Sequence, residues 1–193
     1  MGDHAIVCAN HGERIARHNM LRDAIYQAAS QAALRPAREE QALLPGSESR
    51  PADIFLPSFD KGRDCALDVT VVSPLQQALI SKASEEPGAA LTFAYDRKIR
   101  QSYDACHKEG ISFLPLPIET LGGFHPTTTS TISKIARALA THSSKPASEV
   151  SSHLFQRLGI LLTKGNSALV LSRAPSIPAS VLDGDRDQDQ INL

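Results

Sequence analysis

Arg50-Pro51-Ala52-Asp53-Ile54, followed by Ala66-Leu67-Asp68-Val69-Thr70-Val71, places one acidic residue in each of two apolar, β-branched runs. These runs predict adjacent strands over Ala52 to Leu56 and Cys65 to Ser73. Between them lies a polar loop from Ser58 to Asp64, with Asp60-Lys61-Gly62 as a hairpin-compatible turn. Antiparallel pairing would set Asp53 beside Asp68. A lone carboxylate in such surroundings costs several kcal/mol of desolvation unless something neutralises it. A divalent cation bound by both acids is the economical answer. Side chains alternate along a strand, so Thr70 shares the face of Asp68 while Val69 and Val71 take the other.

Toward the N-terminus, Ile15, His18, Leu21, Ile25, Ala28 and Ala32 recur at helical spacing, which predicts a helix from about Arg14 to Leu34, closed by Pro36. Ala42-Leu43-Leu44 is a candidate first strand, ended by the turn residues Pro45-Gly46-Ser47. Toward the C-terminus, Pro74 ends the third strand, a short helix is expected over Gln76 to Ser84, and a longer one from Pro87 to Glu109 stops at Gly110. A fourth strand is expected over Ile111 to Leu116, bounded by Pro115 and Pro117. The order is helix, three strands, helix, strand. This is the α/β class, a mixed sheet flanked by helices, with extra helices beyond it.

Those extra helices run from the capping hydroxyls of Thr127 to Ser130 as far as Thr141, and from Ser148 or Ser151 through Leu162. Gly165-Asn166 is expected to break the second before Ala168 to Leu171. The organisation expected is a leading segment over 1–13, a core over 14–123, a helical extension over 124–174 and a disordered tail over 175–193.

The chain has 193 residues, 41% of them hydrophobic, enough for one good core; aromatics are 5%, so that core is aliphatic. The net charge of −1 gives no global attraction to nucleic acid, so any basic surface must be local. Three widely spaced cysteines, Cys8, Cys65 and Cys106, argue for a reducing compartment. Apolar runs fall short of the roughly 18 to 20 residues that a membrane helix needs. A soluble intracellular protein with no membrane partner is expected.

Two carboxylates can bind Mg²⁺ or Mn²⁺ while leaving coordination positions for water and a substrate phosphate, so phosphodiester hydrolysis is the natural reaction. Glu40, with Glu39 next, is the candidate third acid, and a lysine is expected to orient water or offset phosphate charge. The layout resembles the PD-(D/E)xK nuclease superfamily, a restriction-endonuclease-like core with its acids on the second and third strands. Two departures stand out: Pro51-Ala52-Asp53 carries an inserted residue, and Thr70 occupies the usual lysine position.

A closer resemblance covers His4 to Gly123. It rests on Arg14-Ile15-Ala16-Arg17-His18-Asn19, the acid before the first strand, Arg50-Pro51-Ala52-Asp53-Ile54, Leu67-Asp68-Val69-Thr70-Val71, and Lys98 through Tyr103. In this order they are similar to the restriction-like endonuclease domain of site-specific non-LTR retrotransposon polyproteins. The resemblance implies that Asp53 and Asp68 hold the metal, that Glu40 assists, and that the catalytic lysine has moved to the following helix, at Lys98. It implies double-stranded DNA as partner, nicking that primes reverse transcription, a reverse transcriptase domain in the parent polyprotein, and the nucleus where the element is eukaryotic. It also makes His4 and Cys8 the remnant of a zinc knuckle, too incomplete for zinc to be expected.

Each candidate has a plainer alternative. Asp53 and Asp68 would serve as strand-end residues bonded to turn amides, and His18 as a packed, hydrogen-bonded histidine on the apolar face of its helix. Lys98 belongs to Arg97-Lys98-Ile99-Arg100, which reads as a solvated helix face, and Lys82 competes for its role. Glu119 to Gly123 is either a supporting acid or a tight strand-to-helix turn. DNA contacts would come from Arg14, Arg17, Lys61, Arg63, Arg97 and Arg100, converging on one groove. The alternative function is a catalytically inactive nuclease-fold remnant that acts as a DNA-binding or protein-interaction module.

Overall fold

The computed structural model describes residues 11–38 and 52–173. Ala42 to Leu44, Glu39, Glu40, His4, Cys8 and the expected tail lie outside the described residues. In chain order the elements are α1 (His11–Gln31), β1 (Ala37–Arg38), β2 (Ile54–Asp60), β3 (Arg63–Val72), α2 (Ile80–Glu85), α3 (Ala89–Lys108), β4 (Ser112–Glu119), α4 (Pro126–Ser143) and α5 (Ala147–Leu171). The strands form one sheet in the order β1-β2-β3-β4, antiparallel except for the parallel pair β3 and β4.

β3 lies inside the sheet, and its run from Cys65 to Thr70 is buried at every position, as a strand covered on both faces must be. One face carries Cys65, Leu67 and Val69 with Ile54, Leu56, Leu116 and Ile118. It packs on Leu21 and Ile25 of α1, Ile132 and Ile135 of α4, and Leu154 and Leu158 of α5. The other face carries Ala66 and Val72, covered by Cys106, Ala90, Leu91 and Ala94 of α3 together with Phe113 and Leu79. The result is three layers: α1, α4 and α5, then the sheet, then α3 with α2.

The Ser58–Asp64 stretch is not an open loop. β2 continues to Asp60 and β3 begins at Arg63, so the turn is only Lys61-Gly62, both with positive φ (52° and 80°), the two-residue type that matches strand twist. Ser58, at φ 52°, absorbs a register shift between Leu56 and Asp60, and Phe59 still reaches the core.

β4 runs through both prolines. Thr120 N–H bonds to Val72 O, whereas Glu119 N–H bonds to Gly123 O and His125 N–H to Pro117 O. Even-numbered residues therefore face β3 and odd-numbered ones face outward, so Pro115 and Pro117 lack amide hydrogens only where the ladder needs none. At the start of α4 the cap is His125, whose Nδ1 accepts from Thr127 N–H ahead of Pro126, not a threonine hydroxyl; Thr128 Oγ1 donates to Pro117 O instead.

α5 does not break at Gly165-Asn166. It continues to Leu171 because both residues meet α1: a Cβ at 165 would stand 2.6 Å from Arg17 Cγ, and Asn166 Oδ1 accepts from Arg17 Nη1 at 2.7 Å. The Asn166 amide also donates to Thr120 O at 2.7 Å. No helix among the described residues is long and apolar enough to cross a membrane.

Candidate active site

The register Ile54↔Leu67 extends to bring Asp53, immediately before β2, level with Asp68 within β3. Asp53 N–H donates to Leu67 O, and the Asp53 carboxylate turns back onto the sheet, where its Oδ2 accepts from Val69 N–H at 2.7 Å. His18, reaching down from α1, places Nε2 3.2 Å from the same Oδ2 and 3.0 Å from Val69 O. Its Nδ1 lies 3.3 Å from Asn19 Oδ1. The Asp53 hydrogen bond, acting against burial, raises the His18 pKa above its ordinary value.

Asp68 is buried, with Lys98 Nζ of α3 2.8 Å from its Oδ2. Burial pushes the Asp68 carboxyl up to about 6, with Lys98 opposing and Asp53 adding to the rise. Lys98 can be both helical and close because it follows Ala90, Leu91 and Ala94 on the stripe of α3 that faces the sheet. Its stem covers apolar surface and its head reaches the acid. That stripe was visible in the sequence, even though the flanking Arg97 and Arg100 are exposed and suggest a solvated run.

The structure thus brings Asp53, Asp68 and Lys98 together and adds His18. Reading His18 as a packed, hydrogen-bonded histidine agrees with its contacts, but its partner is the candidate acid 35 residues away, which helical spacing alone does not reveal. Thr70 shares Asp68's face, is buried, and its hydroxyl has no hydrogen-bond partner among the described residues. Lys82 is exposed and pairs with Glu86 at 3.6 Å, one helical turn along α2. Glu119 closes a turn: Gly122 has φ 101°, and a Cβ at Gly123 would stand 2.8 Å from Glu119 Oε2. Since Asp68 pairs with Pro115, Glu119 lies about 13 Å along the strand from that rung.

Among the basic candidates, Arg14 is exposed one helical turn before His18, and Arg97 and Arg100 flank Lys98. Arg17, expected on the DNA-facing surface, is turned inward. It is only 4% exposed, and its guanidinium points into the α1–α5 contact at Asn166, where burial and Arg14 lower its pKa. Lys61 and Arg63 sit at the hairpin turn, Arg63 about 17 Å along β3 from the rung that holds Asp53 and Asp68, and Arg63 reaches Asp60 at 3.7 Å. Arg17 therefore does not join the other five on an exposed surface.

Protein groups already stand at both acids: Lys98 lies beside Asp68 without offsetting its burial, and His18 with the Val69 amide bonds Asp53. Every described contact to either carboxylate falls on Oδ2, leaving the two Oδ1 atoms as hard oxygen donors of the kind Mg²⁺ takes. Among the described residues, no group of three His, Cys, Asp or Glu side chains is placed to hold a metal ion. The donor set fits a cation that keeps water and substrate as its other ligands. Cys65 and Cys106 are free and buried, and burial pushes the Cys65 thiol up to about 12, which makes it inert. Compared by sequence, the chain matches neither a protein-family model nor a curated protein.

Proposed function

We propose that this chain is a metal-dependent DNA endonuclease domain of the restriction-like type found in site-specific non-LTR retrotransposon proteins, and that it nicks target DNA by phosphodiester hydrolysis. The meeting of Asp53, Asp68 and Lys98 carries the reading: one acid immediately before β2, level with another inside β3, and a lysine Nζ 2.8 Å from the second. Supplied from a helix, that lysine stands in for the one absent at Thr70. Asp53 and Asp68, with Glu40 as the third acid, are the residues that would hold Mg²⁺ or Mn²⁺. A bound divalent cation there supplies an activated water and stabilises the leaving oxygen.

The chain's own groups do the rest. Lys98, 2.8 Å from Asp68, would offer its charge to the scissile phosphate or orient the attacking water. Arg14, Arg97 and Arg100 neutralise backbone phosphates beside the site, so binding weakens as salt rises. Double-stranded DNA is the partner, with a reverse transcriptase of a parent polyprotein as neighbour and the nucleus as location for a eukaryotic element.

Supercoiled plasmid tests this directly. Nicking is expected with Mg²⁺ or Mn²⁺, none with EDTA, none with Asp53→Ala or Asp68→Ala, and a loss of about 10²- to 10³-fold with Lys98→Ala. Nicking that survives both aspartate substitutions sinks the proposal.

The second reading, an inactive nuclease-fold remnant that binds DNA or a protein, has one observation in its favour. The acids are already paired with Lys98 and His18 without any metal. It predicts plasmid retention that is indifferent to EDTA, with no nick formed.

A further inference from the structure

Three contacts around Asp53 close a small ring. His18 Nε2 stands 3.2 Å from Asp53 Oδ2 and 3.0 Å from Val69 O, and Val69 N–H donates to that same Oδ2 at 2.7 Å. The ring ties α1, the residue ahead of β2, and the peptide immediately after Asp68 into one unit. An aspartate carboxylate turns broadly about its last torsion and exchanges its two oxygens unless something holds one of them. Here two donors converge on Oδ2, which holds that torsion and leaves Oδ1 as the oxygen without a described partner.

We propose that His18 is a positioning residue for the acidic pair: it holds Asp53 Oδ2 against the Val69 peptide and so fixes which oxygen, in which place, Asp53 offers to a cation. The proposal rests on the nuclease reading for the identity of that cation, while the ring itself is plain geometry. A histidine with only a packing role would be satisfied by Val69 O alone. Its neighbour in sequence prevents it from drifting: Arg17 is buried against Gly165 and bonded to Asn166, which anchors α1 at the adjacent residue. Partners that orient a metal-binding carboxylate typically change metal affinity about 10- to 100-fold when removed.

The test measures Mn²⁺ binding to the full chain by calorimetry, without DNA and at one pH, with a thermal melt for every variant. His18→Leu keeps apolar bulk and removes the donor. His18→Gln keeps an N–H donor at similar reach. The expected result is a loss of about 10-fold or more for His18→Leu with a near-normal melt, and recovery to within about three-fold for His18→Gln. Wild-type affinity in a folded His18→Leu variant overturns the proposal, as does a His18→Gln variant no better than His18→Leu. Where His18→Leu does not fold, His18→Ala takes its place: a loss of about 10-fold or more supports the role and wild-type affinity overturns it. Asp53→Asn separates the two levels. Binding that needs Asp53 but not His18 sinks only the positioning role, whereas a wild-type chain that binds no Mn²⁺ sinks the nuclease reading and this role together.

Discussion

Asp68 lies between opposing influences, and the stronger of them is burial. Its carboxyl rises from 3.8 to about 6 despite Lys98 at 2.8 Å, so the folded chain holds that proton more tightly than the unfolded chain does. The sign follows from linkage: stability falls as pH rises from about 4 to about 6, and above that the full penalty, on the order of 3 kcal/mol, is present. Asp68→Asn is therefore expected to stabilise the fold by about 1–3 kcal/mol at pH 7 and by little at pH 4, while abolishing nicking. Urea titrations at the two pH values check it, and equal gains at both would refute the assignment. A residue that costs stability where it stands is what a functional site requires.

The contact between α1 and α5 shows how much an element depends on partners far away in sequence. Gly165-Asn166 has the local chemistry of a helix break, and glycine inside a helix costs about 1 kcal/mol relative to alanine. The helix nevertheless runs through, because Gly165 admits the Arg17 side chain and Asn166 bonds it across 149 positions. Gly165→Ala should thus destabilise by about 1–3 kcal/mol in spite of the better propensity, since its Cβ meets Arg17 Cγ, which cannot swing clear as a side-chain tip would. Pairing it with Arg17→Ala should give less than the sum of the two costs, measurable in a double-mutant cycle. What was legible in the sequence is what local rules encode: the order of elements, though β1 stands at Ala37–Arg38, ahead of the stretch where the first strand was expected, the Lys61-Gly62 turn, and the two acids set level by antiparallel pairing. What was not legible is closed by long-range partners, such as His18 on Asp53 and Arg17 on Asn166. The two prolines of β4 misled in the same way, because their acceptability depends on which way each amide would have pointed.

At the scale of the whole molecule, α4 and α5 are not appendages to the sheet. Ile132, Ile135, Leu154, Leu158 and Leu162 share one cluster with Ile54, Leu67 and Leu116, so the layer that carries His18 is completed by the last helix described. With a net charge of −1, any basic surface of the molecule is local, and among the described residues exposed Arg14 lies one helical turn from His18 while exposed Arg97 and Arg100 flank Lys98.

The prolines of β4 have one more effect. An open strand edge invites a strand from another chain to zip onto it, and such growth ends in aggregates. Along the outward side of β4, Pro115 and Pro117 present no hydrogen to donate, Glu119 N–H is already spent on Gly123 O, and Pro117 O is taken by His125. A monomer would thereby keep its sheet from growing on this side. Replacing both prolines with valine should leave the fold nearly as stable yet make light scattering rise with concentration; a double variant that stays monomeric at high concentration would show that this edge needs no such guard.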